Sequence, residues 1–260
     1  TSPANKFTVS LPVSFTSSGG SAEDGWCLVG NPYPSPIDWD AAGWTKTSID
    51  NAAYIWDADN GVYASYVANV GTNGGTRYIA SSQAFWVKTR GASAALAGTE
   101  PVKAATLPAW FKTNDSIPNV FRLRVDGQGY GDELVIRFLP GASDGFDGAY
   151  DAYKLSYSGS PAPQISTVLD TATDLAINAI PALNADTTIP VRVTVATSGT
   201  YTIQAGNFDD MPTTSCILLE DNVTGTFTNL RTTSSYAFTI INTTTLPRFT
   251  LHIGAPISSE

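Results

Sequence analysis

Two acidic, glycine-rich loops contain the residues of this chain best suited to bind a metal ion. One spans residues 126–133 and the other spans residues 143–151, on either side of one predicted strand. Calcium takes about six to eight oxygen ligands from carboxylates and carbonyls on flexible loops, where glycine allows tight turns. Asp144, Asp147 and Asp151 could supply such a shell. Because Asp and Gly are also ordinary turn residues, the sequence leaves calcium (Ca2+) binding and simple turns as alternatives.

A second candidate site consists of aromatic residues in and just after the proline-rich turn NPYPSP, residues 31–36. Proline fixes φ and restricts the residue before it, so we expect this turn to be stiff. Exposed Trp and Tyr rings can stack on the apolar faces of sugars, and a rigid loop loses little entropy when it binds. Tyr33, Trp39 and Trp44 are therefore predicted to contact a ligand, with packing in the core as the alternative. The other three tryptophans lie in predicted strands and are expected in the core: Trp26, Trp56 and Trp86.

The chain contains little that would support catalysis. Its single histidine, His252, lies on the outward face of a predicted terminal strand. No Gly-x-Ser-x-Gly elbow, phosphate-binding loop or His/Cys zinc spacing is present. Two carboxylates could still form a glycosidase site, but no constellation selects a pair from the 23 acidic residues. We therefore expect that the protein is not an enzyme.

Cys27 and Cys216 are the only two cysteines, and they fall in different halves of the chain. In a secreted protein, two cysteines can form one disulfide. Cysteines within strands also serve as small buried hydrophobic residues. The sequence therefore leaves open a bridge between Cys27 and Cys216 or two buried free thiols.

Short strands separated by turns are predicted to position these residues. Residues 7–15 alternate between apolar and polar, as a half-buried strand does. Trp26, Leu28 and Val29 belong to a strand that runs into the proline turn, and residues 53–67 form a hairpin about an Asn-Gly turn. The second half holds several clearly alternating segments at intervals of about 8–12 residues, which is typical of a β-sandwich or jelly roll. These segments are residues 121–125, 134–138, 191–195, 201–203 and 249–253.

The composition fits two folded domains. A chain of 260 residues suits two domains of about 100–150 residues each. Apolar residues make up 42% of the chain, whereas charged residues make up 14%, against roughly 25% in an average soluble protein. The strand pattern lapses between residues 91 and 119, where we place the connection. We predict an all-β fold of two β-sandwich (Ig-like or jelly-roll) domains in tandem, residues 1–113 and 114–260.

The charge of the chain restricts its partners. A net charge of −9 disfavours nucleic acid, because phosphate binding needs a basic face, and it also disfavours an anionic membrane surface. No apolar run approaches the roughly 20 residues that span a bilayer. The first residues lack the pattern of a signal peptide, so any export signal is expected to have been removed or to lie outside this sequence. We expect a solvated extracellular protein that neither binds nucleic acid nor inserts into a membrane.

Five segments of the chain are distinctive: GWCLVGNPYPSPIDWD, YIWDADNGVY, GTRYIASSQAFWVK, FRLRVDGQGYGDELVIRF and GFDGAYDAYKL. Taken in order, they resemble the C-terminal extracellular β-domains of Bacteroidota surface proteins exported by the type IX (gliding-associated) secretion system. The resemblance covers most of residues 25–254. It implies a location at the cell surface and a role as a stalk or accessory module, because members of that group accompany adhesins and polysaccharide-degrading enzymes. Cys27 stands where these proteins usually have a polar residue such as Asn, so a bridge to Cys216 would be particular to this chain.

Three short motifs are similar to the Asp-Ser/Thr-apolar O-glycosylation sequence of the same phylum. They begin at Asp115, Asp170 and Asp186, and each falls in a predicted loop or in the connection between domains. Chance occurrence is the alternative, since Thr and Asp are common in this chain. The resemblance implies that the glycan-carrying residues are Ser116, Thr171 and Thr187.

These features together predict a non-catalytic, extracellular module for adhesion or carbohydrate binding at the cell surface. Its partner would be a polysaccharide or a surface glycan. The alternative is a structural stalk or a self-assembling surface-fibre subunit, whose partners are neighbouring copies of itself. A fragment of a glycan-active enzyme ranks below both.

Overall fold

The computed structural model of the chain describes residues 8–20, 22–104, 117–183, 185–206, 216–241 and 246–254, together with Phe208 and Met211. This part is all-β, as the sequence predicts, and a short 3₁₀ turn lies at Glu100–Val102. No helix in it is long and apolar enough to cross a membrane.

The chain separates into two compact units. Unit 1 comprises residues 1–56, 64–115 and 148–150, and unit 2 comprises residues 57–63, 116–147 and 151–260. The predicted boundary at residues 113 and 114 falls within residues 105–116, which lie outside the described residues.

The N-terminal part of the chain forms three small sheets. The largest has the strand order β2-β9-β5-β6-β7, a second has the order β1-β10-β4, and β3 pairs with β8. The predicted hairpin at residues 53–67 is confirmed as β5 and β6, with Gly61 at φ 68° in its turn. The strands are β1 (Val9–Leu11), β2 (Trp26–Gly30), β3 (Ile37–Asp38), β4 (Trp44–Thr47), β5 (Ala53–Asp57), β6 (Val62–Val67), β7 (Val70–Thr72), β8 (Tyr78–Ile79), β9 (Ala84–Lys88) and β10 (Ala95–Gly98).

The core of unit 1 lies on one face of its largest sheet. Val29 of β2 and Phe85 and Val87 of β9 point into this core. Because side chains alternate between the two faces of a strand, the even-numbered residues of β2 and β9 must lie on the opposite face.

Unit 2 is built on one long sheet. Its strand order is β19-β18-β21-β16-β14-β15-β12-β11-β17-β20, and β13 pairs with β15. All neighbours with a described register are antiparallel except β12 and β15, which are parallel. The strands are β11 (Val120–Gly127), β12 (Tyr130–Phe138), β13 (Ala152–Tyr153), β14 (Gln164–Val168), β15 (Asp174–Ile180), β16 (Thr187–Thr194), β17 (Gly199–Gly206), β18 (Ile217–Asp221), β19 (Thr226–Asn229), β20 (Ser235–Ile240) and β21 (Phe249–Ile253).

The sheet of unit 2 coils until its two ends meet through side chains. Asp221 at the end of β18 accepts hydrogen bonds from Arg248 at 2.7 and 3.0 Å and from the Tyr236 hydroxyl of β20 at 3.0 Å. Burial raises the pKa of Asp221, but the hydrogen bonds from Arg248, the Val223 N–H and Tyr236 outweigh it, so the pKa lies below its ordinary value. The charged carboxylate therefore joins opposite ends of the sheet in a near-barrel.

Candidate functional site

Tyr33 of the proline turn is buried, with an exposed fraction of 1%. Its hydroxyl donates to the Gly98 carbonyl at 2.9 Å, and its N–H donates to the Asn31 side chain at 2.9 Å. The Asn31 amide also donates to the carbonyls of Ser35, Ile79 and Ala80, which holds the turn closed against the sheet. Tyr33 therefore has no face available for a ligand.

Trp39 is fully buried, and Trp44 is half-buried beside it. The Trp39 indole N–H donates to the Asn51 carbonyl at 2.7 Å, and that of Trp44 donates to the Asp38 carbonyl at 2.8 Å. The two ring centres are 5.1 Å apart, and Phe85 packs edge-on against Trp39.

The expectation of an exposed aromatic platform at Tyr33, Trp39 and Trp44 is therefore wrong for the first two residues and unsupported for the third. The Tyr33 and Trp39 rings point inward, where their polar atoms donate to backbone carbonyls. The alternative left open by the sequence, packing, is what the geometry shows.

The acidic loop at residues 143–151 uses one of its carboxylates as a backbone cap. Asp151 is buried and accepts from the N–H groups of Asp147 at 2.6 Å and Ala179 at 2.7 Å. Asp144 is exposed and Asp147 is half-buried. Among the described residues, no group of three or more His, Cys, Asp or Glu side chains is placed to hold a metal ion. Calcium binding at this loop stays a prediction.

The glycosylation candidates lie in different surroundings. Ser116 lies outside the described residues, whereas Thr171 is exposed in a turn and fits the prediction of a loop position. Thr187 was expected in a loop but is the first residue of β16, opposite Ile253 of β21, and its hydroxyl donates to the Ala185 carbonyl. Glycan attachment stays a prediction for all three.

Both cysteines are free thiols, so the structure does not contain the Cys27–Cys216 bridge. The alternative of two buried thiols is also incorrect, because Cys27 is half-buried and Cys216 is exposed. The Cys27 thiol donates to the Ser14 carbonyl at 3.1 Å. His252 is half-exposed, and its Nε2 lies 2.7 Å from the Glu220 carboxylate on the neighbouring strand.

The open side of the largest sheet in unit 1 presents an aromatic and apolar surface, which we call the Trp86 face. Leu28 of β2 is paired with Trp86 of β9, and Trp86 is paired with Tyr54 of β5. Directly paired residues share a face, and residues two apart on a strand do so as well. The face comprises Trp26, Leu28, Gly30, Tyr54, Trp56, Ala84, Trp86 and Lys88.

Part of the Trp86 face is accessible, whereas Tyr54 and Lys88 within it are buried. Leu28 of β2, the edge strand of this sheet, is 54% exposed, and Gly30 and Ala84 are exposed as well. Trp86 and Trp56 are half-buried rather than in the core. Trp26 is half-buried as well, so the expectation that Trp26, Trp56 and Trp86 lie in the core is wrong.

Trp26 and Lys88 of the Trp86 face are fixed by contacts with neighbouring protein groups. The Trp26 indole N–H donates to the Ala22 carbonyl at 2.9 Å, and its ring packs edge-on against Tyr54 with centres 5.1 Å apart. The Lys88 ammonium group donates to the Ala22 carbonyl at 2.9 Å and to the Asp24 carbonyl. The same ammonium group lies 4.8 Å from the centre of the Trp26 ring. Burial lowers the pKa of Lys88 to about 8. Its charge is thus withdrawn from the surface.

Trp86 itself keeps a free donor. Within the part of the chain that the structure describes, its indole N–H donates to no protein acceptor. An accessible ring with an unused N–H, set beside two small residues, can stack on an apolar ligand face and donate to a ligand hydroxyl. The sequence held a signal for this surface, since Cys27 and Val29 alternate with Trp26, Leu28 and Gly30, but the pattern does not say which set faces inward.

Comparison with known proteins places the chain in a family without identifying a function. The model of a domain of unknown function, DUF8693, matches residues 4–253, so the chain belongs to this family. Searches of curated proteins and of solved structures gave no significant match.

Proposed function

We propose that this chain is a non-catalytic, extracellular module that binds carbohydrate in adhesion at the cell surface. The observation that supports this proposal most directly is the accessible Trp86 face, with Leu28 54% exposed beside Trp86 and its free indole N–H. Aromatic rings on a sheet lose little conformational entropy on binding, because their backbone is already fixed by neighbouring strands.

The proposal also includes the location and the domain type. The low fraction of charged residues and the resemblance to surface proteins of the type IX secretion system favour an extracellular module. We infer that the two units act as tandem domains of the sandwich type, in which unit 1 carries the binding face.

A glycan array probed with the purified chain tests this function. We expect binding to at least one class of glycan, and we expect Trp86→Ala to weaken it by about tenfold, since an aromatic contact contributes about 1 kcal/mol or more. Phe227→Ala is the matched control, because Phe227 is an exposed aromatic residue of unit 2 at 56%. Failure to bind any glycan would contradict the proposal.

The second candidate, a subunit of a surface fibre, is favoured by one feature of unit 2. Strand β20 ends its sheet and contains neither charged residues nor proline, the usual devices that prevent pairing between sheet edges. Concentration-dependent filaments in electron micrographs, abolished by Ala237→Lys in this strand, would support it. A chain that stays monomeric at high concentration would exclude it.

A further inference from the structure

We propose that the ligand of the Trp86 face is an uncharged, extended polysaccharide of the β-1,4-linked kind, and that one sugar ring lies over Gly30 and Ala84. This inference rests on the function proposed above and deepens it by naming the ligand class and the position of contact.

The charge of the face excludes most acidic polysaccharides. Lys88 is the one charged residue among those that define the face. It is 1% exposed, and its ammonium group donates to two backbone carbonyls. A carboxylate or sulfate placed here would lose water without gaining a cation. The net charge of −9 adds repulsion of polyanions over a longer range. A neutral chain meets neither cost.

The shape of the face fits a flat ring. Gly30 and Ala84 are paired directly across β2 and β9, and a side chain built on Gly30 would meet nothing within 4 Å. These two residues form a low floor. Trp86 borders the floor along its own strand, and Trp56, two residues after Tyr54 on antiparallel β5, lies beside its other edge.

The dimensions favour an extended chain over a helical one. Neighbouring strands are about 4.8 Å apart, so the three strands of the face span about 10 Å. Sugars with equatorial linkages, as in β-1,4-glucans, form flat ribbons whose ring faces can stack on such a surface. The Trp86 indole N–H can then donate to a sugar hydroxyl that loses a water molecule on binding. The hydroxyl therefore keeps the number of hydrogen bonds that it had in water.

Two cellulose derivatives that share a sugar backbone but differ in charge test whether the charge of the ligand affects binding. We expect hydroxyethyl cellulose, which is neutral, to retard the protein in affinity electrophoresis, and carboxymethyl cellulose, which is anionic, to retard it at least tenfold less. Gly30→Thr should weaken the retardation by neutral polymer at least tenfold, because the new side chain occupies the floor. Thr suits a strand better than Gly does, and Gly30 has no left-handed φ, so the variant is expected to fold.

Gly206→Thr is the matched control, because Gly206 is also a strand residue with open space around an added side chain. If the chain binds no polysaccharide in the gel or on the array, the proposed function and this inference both fall. If it binds carboxymethyl cellulose as well as the neutral polymer, the function stands and the ligand class is wrong. If Gly30→Thr binds like the unmodified chain, the location is wrong.

Discussion

Lys46 is a half-buried cation whose ammonium group lies over the ring of Trp39, 3.7 Å from the ring centre. It donates to the Trp39 carbonyl at 2.9 Å and to the Asn51 side chain at 2.8 Å. Burial lowers the pKa of Lys46 to about 8, while Asp40 and Asp38 act in the opposite direction. The folded chain therefore holds this proton less tightly than the unfolded chain, where the pKa is 10.5.

This difference predicts a pH dependence of stability. Between pH values of about 8 and 10.5 the unfolded state binds more protons at Lys46, so the free energy of unfolding contributed by this residue rises with pH. Denaturant unfolding from about pH 7 to about pH 9.5 should show a positive slope that Lys46→Met reduces. Lys88, also with a pKa of about 8, contributes equally in both proteins. Identical slopes in the two proteins would contradict the assignment.

The ion pair of Asp132 and Lys154 is the most deeply buried one in the described part of unit 2. The side chains are 0% and 5% exposed, and Asp132 also accepts from the Ile165 N–H at 2.7 Å. Asp132→Leu should lower the free energy of unfolding by about 3–5 kcal/mol, because it leaves the Lys154 charge buried without its partner.

The double variant Asp132→Leu/Lys154→Met provides the control for this prediction. Removing both charges should recover most of the loss, since a buried ion pair and a hydrophobic pair are often similar in stability. A double variant as unstable as Asp132→Leu alone would show that packing, rather than the uncompensated charge, sets the cost.

The sequence identified the aromatic residues that could form a site, but it did not show whether their side chains point into the core or toward solvent. Tyr33 and Trp39 point inward because Gly98 and Asn51, far along the chain, supply acceptors for their polar atoms. Leu28 and Trp86 point outward because the core fills the other face of the same strands. A local pattern of alternation defines two faces without saying which one is buried.

At the scale of elements, the closure of the unit 2 sheet depends on a few side chains. Tyr236→Phe removes the 3.0 Å hydrogen bond to the charged Asp221 and leaves both contacts from Arg248 in place. We expect the free energy of unfolding to fall by about 1–3 kcal/mol, as for other hydrogen bonds to charged groups. Tyr130→Phe is the control, because the Tyr130 hydroxyl forms no hydrogen bond within the described residues. Equal effects of the two changes would contradict the role given to Tyr236.

Most of the strands that were predicted in unit 2 alternate clearly in the sequence. Strands β11, β16, β17 and β21 each have one buried face and one more exposed face, so their polar and apolar residues alternate. Strand β15 is buried on both faces over most of its length, which removes the alternation. Strand β10 lies within residues 91–119, where the sequence shows no clear strand pattern.

At the scale of the whole molecule, calcium offers a test of the acidic loop. If the loop binds calcium through Asp144 and Asp147, the ion stabilises the folded state by mass action. Adding calcium should then raise the melting temperature, and a chelator should lower it, with Asp144→Asn removing the difference. An unchanged melting temperature would contradict calcium binding by this loop.

The order of strands in space was not accessible from the sequence. The all-β class follows from composition and turn residues, but the parallel pairing of β12 with β15 joins segments about forty residues apart. No local pattern encodes such a pairing. The same limit applies to the Trp86 face, which forms only when β2, β9 and β5 are brought side by side.

The central claim is that carbohydrate binds to the Trp86 face rather than to the aromatic residues of the proline turn. The most direct measurement is a ¹H–¹⁵N spectrum of the tryptophan indole groups during titration with a neutral β-1,4-glucan oligosaccharide. The account predicts that the Trp86 signal, assigned with Trp86→Phe, shifts with increasing ligand while that of buried Trp39 stays in place. A shift at Trp39 or Trp44 without one at Trp86 would contradict the account.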